Sequence, residues 1–341
     1  MEAHGFLKSV FENHDLTHWN WTPLQTPLSM DIYKSWIEKS YHGDMAYLKN
    51  HIPQKEEPQN LLPQAKSAFV FTVEYGLKPN TLPTKNLRVA AYAKDDDYHV
   101  WFKQKTLQLC KDLKALFPKN EFVGFTDSSP VMERDLAYQA GLGWFGKNTC
   151  LIDRKRGSLF FIGEIYSTLA YPQAKAPTPS LDHCGTCNRC IVACPTNAIE
   201  PERTLNATKC ISYWTIESKK VPPPELREKF SDWFFGCDIC QTVCPWNIKV
   251  RDLAEPAPSD PTDDLRLILE SSNKTLMRLF ANTPLSRAGG RGLKRNALIV
   301  IANKKLTALA PSVKPYLADP VLSELAHWTM DKLADSCKLG L

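Results

Sequence analysis

The spacing of apolar residues predicts helices towards both ends of the chain and short strands between them. In "DIYKSWIEKSYHGDMAYLKNH", Ile32, Trp36, Ile37, Tyr41 and Met45 recur at helical spacing, and the first 60 residues read as helical. The texture changes at "AKSAFVFTVEYG", a short β-rich run ending in glycine, as expected of a buried strand. Helical spacing returns over 97–117 through Trp101, Phe102, Leu107, Leu109, Leu113 and Leu116, and stops at Pro118. "NEFVGFTD", "TCLID" and "GSLFFIGEIYSTL" are further predicted strands. Helices alternating with short strands predict an α/β domain over residues 1–175.

Two proline-rich polar stretches, "AYPQAKAPTPSLDH" and "RDLAEPAPSDPTDD", read as connections. They set off a cysteine-rich segment, 176–255, from a helical one, 256–341. In the latter, "LRLILESSNKTLMRLF", "RGLKRNALIVIANKK" and "PVLSELAHWTMDKLADSC" resemble helical pairs of the HEAT type. The expected fold is thus multidomain, α/β or α+β first, then ferredoxin-like, then helical.

With 43% hydrophobic residues the chain can bury real cores. "MEAHGFLKSVFENHD" mixes charges and lacks the apolar region of a signal peptide, and no apolar run reaches membrane-spanning length. A soluble, cytoplasmic protein is expected, with a monomer as the default. Eight of the eleven cysteines crowd between Cys184 and Cys244, which in a large chain without an export signal points to metal binding rather than disulfides. Cys110, Cys150 and Cys337 stand alone and read as buried small hydrophobes.

"HCGTCNRCIVACPTNAI" carries C-x₂-C-x₂-C-x₃-C-P, half of a two-cluster ferredoxin pattern, in which the fourth cysteine serves the other cluster. Cys184, Cys187 and Cys190 then need a distant partner, which Cys244, followed by Pro245 in "GCDICQTVCPWN", supplies. Cys194, Cys237 and Cys240 make three ligands of a second [4Fe–4S] cluster, and Cys210 is the unassigned cysteine left to complete it. Two Cys₄ zinc centres would also use eight thiolates, but zinc has no reason to adopt this spacing.

"ERDLAYQAGLGWFGKNTCLI", "GSLFFIGEI", the cysteine block and "CISYWTIE" followed by "FGCDICQTVCPWN" resemble the epoxyqueuosine reductases, from about residue 30 to 250. The resemblance implies cobalamin, two [4Fe–4S] clusters, and reduction of epoxyqueuosine to queuosine at the tRNA wobble position with electrons from a flavodoxin or ferredoxin. It places the proton-donor carboxyl on Glu133, where the family commonly has aspartate, with Asp135 the nearest substitute. It places Lys55, Gly157, Thr168 and Ser212, beside Glu133, at the cobalamin, with Tyr98 and His99 as further pocket residues. Reductive dehalogenases share cobalamin and paired clusters, so a dehalogenase-like enzyme on a small molecule is one alternative. A non-catalytic iron–sulfur carrier is another. The glycines of "GLGWFGKN" do not complete G-x-G-x-x-G and are expected to let backbone approach a flat macrocycle.

The net charge of +5 is modest, so position matters more than total. Residues 271–318 contain no Asp or Glu, while Arg287, Arg291, Lys294 and Arg295 concentrate in "SRAGGRGLKRN". Together with the resemblance, these four predict a surface for the anticodon stem-loop. Trp214 and Trp246 are candidates for stacking on a base or on the corrin edge.

Overall fold

A computed structural model describes residues 2–75, 80–170, 177–201, 203–248 and 260–338. Parts of both proline-rich connections, 171–176 and 251–259, lie outside the described residues. The described strands are β1 (Trp19–Pro23), β2 (Ser67–Glu74), β3 (Arg88–Val89), β4 (Phe122–Thr126), β5 (Trp144–Phe145), β6 (Leu151–Ile152), β7 (Phe160–Ser167), β8 (Ile199–Glu200), β9 (Thr204–Leu205) and β10 (Trp233–Phe235).

The first unit is built on a four-stranded sheet ordered β1-β2-β7-β4, with every pairing antiparallel. This is an α+β arrangement, not the parallel one that alternating helices and strands suggest. β1 is missed by the helical reading of the first 60 residues, because its five residues, two of them buried, are too few to show a period. Along β7 the side chains alternate between two cores. Phe160, Ile162 and Tyr166 join Leu136, Ala137 and Ala140 of the helix Glu133–Gln139. Ile165 and Phe161 join Phe102, Leu109 and Leu113 of the helix Tyr98–Leu116.

The largest core ignores the expected boundaries at 175 and 255. Leu82, Leu87, Val89 and Ala93 pack with Trp233, Phe234 and Phe235 and with the C-terminal helices through Leu265, Leu276, Leu298 and Leu325. β3 pairs with β10 in parallel, so a strand from the first unit crosses into the cysteine-rich region. Trp36 Nε1 donates to Leu205 O at 2.6 Å and Ala207 N to Tyr41 O at 2.8 Å, making the same crossing from the other side. The C-terminal helices form as their spacing predicts, at Thr262–Glu270, Asn273–Leu279, Gly289–Asn303 and Ser323–Lys338. No described helix is long and apolar enough to cross a membrane.

Candidate active site and cluster cradle

An open cavity of about 240 Å³ lies at the Phe160 end of β7. Tyr75, Tyr98, Phe160 and Phe161 make an aromatic wall, with Tyr98 stacked on Phe161 at 4.1 Å. Asp127, Glu133, Arg134 and Gln241 bring polar groups to it, and Cys150 and Ser158 complete one side.

Glu133 opens the helix Glu133–Gln139, in the first turn that favours an acid. Its Oε1 is buried and has no hydrogen-bond partner. Burial first, and then repulsion from Asp127, push its carboxyl up to about 8, against the opposing charges of Lys55, Arg134 and His99. Glu133 is therefore largely protonated at neutral pH, as a general acid must be. The substitute acid is removed from contention. Asp135 is 2% exposed and fully engaged, accepting from Leu28 N, Ser29 N, Ser29 Oγ and Gln139 Nε2 at 2.5–3.1 Å. It holds a loop to the helix and has no face on the cavity.

Asp127, at the end of β4, is a cavity residue that the sequence reading overlooked. Its side chain is 51% exposed, and it accepts hydrogen bonds from Tyr98 Oη and, at 2.8 Å, from His99 Nε2. Burial opposes its charge, but those bonds and Arg287 hold the carboxyl below its usual range. His99 Nδ1 lies 2.7 Å from Asp97 Oδ1, so a chain Asp97–His99–Asp127 leads to the mouth. The bond to Asp127 in turn raises the His99 pKa. "DDDYHVWF" names both His99 and Asp97, yet only the return of β4 beside the helix start brings Asp127 to them.

Glu164 is a second overlooked group. It points from β7 into the same core as Phe160 and Ile162, is 0% exposed, and has two unpartnered carboxyl oxygens. Burial and the charges of Glu133 and Asp127 raise its pKa well above the carboxylate range. Lys55 sits close by, 7% exposed, with Nζ donating to Val131 O at 2.8 Å. It braces the approach to Glu133 from behind the cavity wall and does not line the cavity.

Of the other positions expected at a macrocycle, Gly157, Thr168 and Ser212, none lines the cavity, although Gly157 directly precedes Ser158, which does. Thr168 follows the far end of β7, where its Oγ1 accepts from Glu121 N at 2.9 Å; eight residues of strand, roughly 26 Å, separate it from Phe160. Gly157 (φ 70°) is required by packing, since a Cβ there would stand 2.0 Å from Asn247 Oδ1. A Cβ added at Gly143 or Gly146, on either side of β5 in the "GLGWFGKN" run, would likewise stand 2.5 Å from Ile152 of β6. Ser212 belongs to the cluster cradle, with its hydroxyl on the Cys210 sulfur. Trp214 is buried with Nε1 donating to Thr208 O, and Trp246 packs edge-on against Trp144 at 5.2 Å.

The eight clustered thiols fall into two electrostatic neighbourhoods. Cys244 faces Cys184 and Cys187, and Cys190 faces Cys184 and Cys244. Cys237 faces Cys210 and Cys194, while Cys240 faces Cys210 and Cys237. Several stand where a short helical turn begins, so the free N–H groups of that turn point back at sulfur. Ser212 and Tyr213 donate to Cys210, Ile239 to Cys237, and Trp246 and Asn247 to Cys244. Ala198 N donates to Cys194 Sγ at 3.3 Å. Burial raises the pKa values of Cys210, Cys237 and Cys244, and these donors oppose it by favouring the thiolate that binds iron. The second set adjoins the cavity through Gln241, next to Cys240, while Cys150 in the cavity wall interacts with Cys240 and also with Cys190 and Cys244 of the first set. Cys110 is a core residue as expected, whereas Cys150 is a cavity residue whose thiol burial pushes up to about 12. The Cys337 side chain lies outside the described residues.

The four basic residues expected on one surface separate. Arg291 is exposed and Lys294 half-buried over the Tyr316 ring at 5.4 Å. Arg287 is exposed but bidentate on Glu217 at 3.0 and 3.1 Å. Arg295 is 2% exposed and donates to Trp214 O, Ser218 O and Lys220 O, carbonyls around the wide π-turn Tyr213–Glu217. It is a structural tie and cannot meet a phosphate.

Residues 183–247 match the family described as "4Fe-4S double cluster binding domain", and residues 55–128 match "Epoxyqueuosine reductase QueG, DUF1730". The epoxyqueuosine reductase of Cyclobacterium marinum is 39% identical over 265 residues, covering 77% of this chain and 85% of its own. The solved structure of epoxyqueuosine reductase from Streptococcus thermophilus superposes with a TM-score of 0.85 at 25% identity, over 98% of this chain and 91% of that one. An epoxyqueuosine reductase solved with an epoxyqueuosine-modified tRNA-Tyr stem loop gives 0.83 at 26% identity, over 98% and 92%.

Proposed function

The chain belongs to the epoxyqueuosine reductase family, and on that premise we propose that it reduces epoxyqueuosine in tRNA to queuosine. Both C–O bonds of the epoxide break, a C=C bond forms, and the oxygen leaves as water, taking two electrons and two protons. The observation that carries the assignment of the proton source is Glu133, a protonated carboxyl with a free oxygen at a cavity open to a large substrate.

The two thiol sets suit two [4Fe–4S] clusters, Cys184, Cys187, Cys190 and Cys244 for one and Cys194, Cys210, Cys237 and Cys240 for the other. The aromatic wall and the neighbouring second set suit a flat corrin. A bound cobalamin would supply a strongly reducing metal centre that side chains cannot imitate. The protein's own part is to hold and release a proton. Glu133 stores it, and Asp127, open at the mouth and linked through His99 to Asp97, is the group through which it exchanges with substrate and solvent. The tRNA is held by Arg291 and Lys294 on the acid-free helical segment. A low-potential carrier such as flavodoxin or ferredoxin supplies the electrons.

The test is anaerobic reconstitution with iron, sulfide and cobalamin, followed by mass spectrometry of nucleosides from epoxyqueuosine-containing tRNA. Conversion to queuosine by the wild type and its loss in Glu133→Gln are expected. An intact epoxide with fully loaded wild-type protein would overturn the reading.

A further inference from the structure

The two most exposed large hydrophobic residues among those described, Leu181 and Val192, lie in the cysteine-rich region, and Ile248 is a third exposed one there. Leu181 is 77% and Val192 74% exposed, and Ile248 is 51% exposed. Leu181 stands three residues before Cys184, Val192 two after Cys190, and Ile248 four after Cys244. Val192 also stands two residues before Cys194 of the second set, whereas among the described residues no large hydrophobic exposed to this degree stands so close to Cys210, Cys237 or Cys240.

The segments that carry the three are joined by packing. The His183 ring lies edge-on to Trp144 at 4.9 Å and 5.8 Å from Trp246, which is two residues before Ile248. Cys184 and Cys244 share a small core with both tryptophans. Val192 lies on the helix Arg189–Ala193, which packs on Ile239–Thr242, and that helix in turn contacts Pro245–Ile248. Between the cysteines, Gly185, Thr186, Asn188 and Arg189 are all exposed. The first thiol set is therefore the one whose loop forms surface, while the second adjoins the cavity.

The rim of this face is cationic. Lys147 reaches Gly185 O at 2.7 Å, and Arg189 is exposed. Arg154 and Lys155 are exposed on the turn between Asp153 and Gly157, which rests on Asn247. The nearby acids are engaged, Asp182 by Arg203 at 2.5 Å and by Cys184 N, and Asp153 by the backbone of Lys155 and Arg156. An apolar centre with a positive rim is the anatomy of a protein-docking surface, and it complements an acidic partner. Nucleic acid has no use for the apolar centre, which sets this face apart from the tRNA surface.

We propose that the face around Leu181, Val192 and Ile248, rimmed by Lys147 and Arg189, is where an acidic one-electron carrier protein docks. Electrons would enter beside Cys184, Cys187, Cys190 and Cys244 and reach the cavity from the side of Cys240. This rests on the two-cluster reading above. Each encounter oxidises the carrier by one electron and reduces this protein by one, so two encounters supply one epoxide.

The test uses the cluster-loaded protein in anaerobic stopped flow, with visible bleaching of the iron–sulfur absorbance as readout. A reduced flavodoxin and the small reductant dithionite are compared on wild type, Leu181→Asn with Val192→Asn, and Arg189→Glu, each checked for iron content. The flavodoxin rate should fall about tenfold or more in the variants, and in wild type with rising salt, while the dithionite rate stays within about twofold. A flavodoxin rate that is unchanged in both variants and flat with salt overturns the docking face. So does weakened tRNA binding in the variants with an unaltered flavodoxin rate, which would make it a tRNA surface. Because dithionite can drive epoxide reduction without docking, failure of the catalytic reading shows separately.

Discussion

His99 Nε2 lies 2.8 Å from Asp127 Oδ2, tying a helix start to the end of β4 at the mouth of the cavity. The two groups favour opposite charges on each other, since Asp127 pushes the His99 pKa up and His99 pulls that of Asp127 down. The resulting carboxylate is one reason that Glu133, deeper in, keeps its proton. The site thus separates a solvent-linked acid from a proton-storing one by environment alone.

Glu133→Gln should retain clusters and lower turnover by about 10²-fold or more. Turnover of the wild type that depends on the protonated acid should fall as pH rises through about 8, and this limb should vanish in the variant. Stability has the same sign. The folded carboxyl sits above its ordinary 4.5, so its contribution is full below that value and is lost as pH rises towards 8. Thermal melts of Glu133→Gln between those limits should be flatter with pH than those of the wild type.

Cys210→Ala should remove a ligand from one cluster only, so iron falls from about eight to about four per chain. Cys150→Ala should leave iron unchanged, because Cys150 belongs to the cavity and to neither set. Metal analysis with the anaerobic absorption spectrum distinguishes these outcomes.

Arg291→Ala with Lys294→Ala should weaken tRNA binding and reduce its salt slope by roughly 1–2. Arg295→Ala should behave differently, costing about 2–4 kcal/mol of stability because two buried carbonyls and one part-buried carbonyl lose their donor. Binding titrations across salt and denaturant melts separate the two classes.

Gly157→Ala should destabilise by about 1–3 kcal/mol, because the new Cβ collides with Asn247 and the backbone is left-handed. Thr168→Ala should cost about 1 kcal/mol or less and leave cobalamin binding unchanged. A drop in cobalamin affinity in Thr168→Ala, by equilibrium titration, would return that residue to the site.

Local spacing determined much of this protein. The 3.6-residue period placed the long helices, and the cysteine spacing named seven of the eight expected cluster thiols, with Cys210 added as the one left over. Those signals are legible because they are written within one turn or one loop. Neighbours across the sheet are not. Asp127 meets His99 only because β4 returns beside a helix start, and Glu164 becomes a buried, unpartnered acid only because β7 is an inner strand. Arg295 looks like its basic neighbours in sequence, yet one residue's rotation round a helix turns it from solvent to the core. Which charged groups face water, which share a proton and which brace the backbone were decided by tertiary packing, because burial and long-range pairing set their energies.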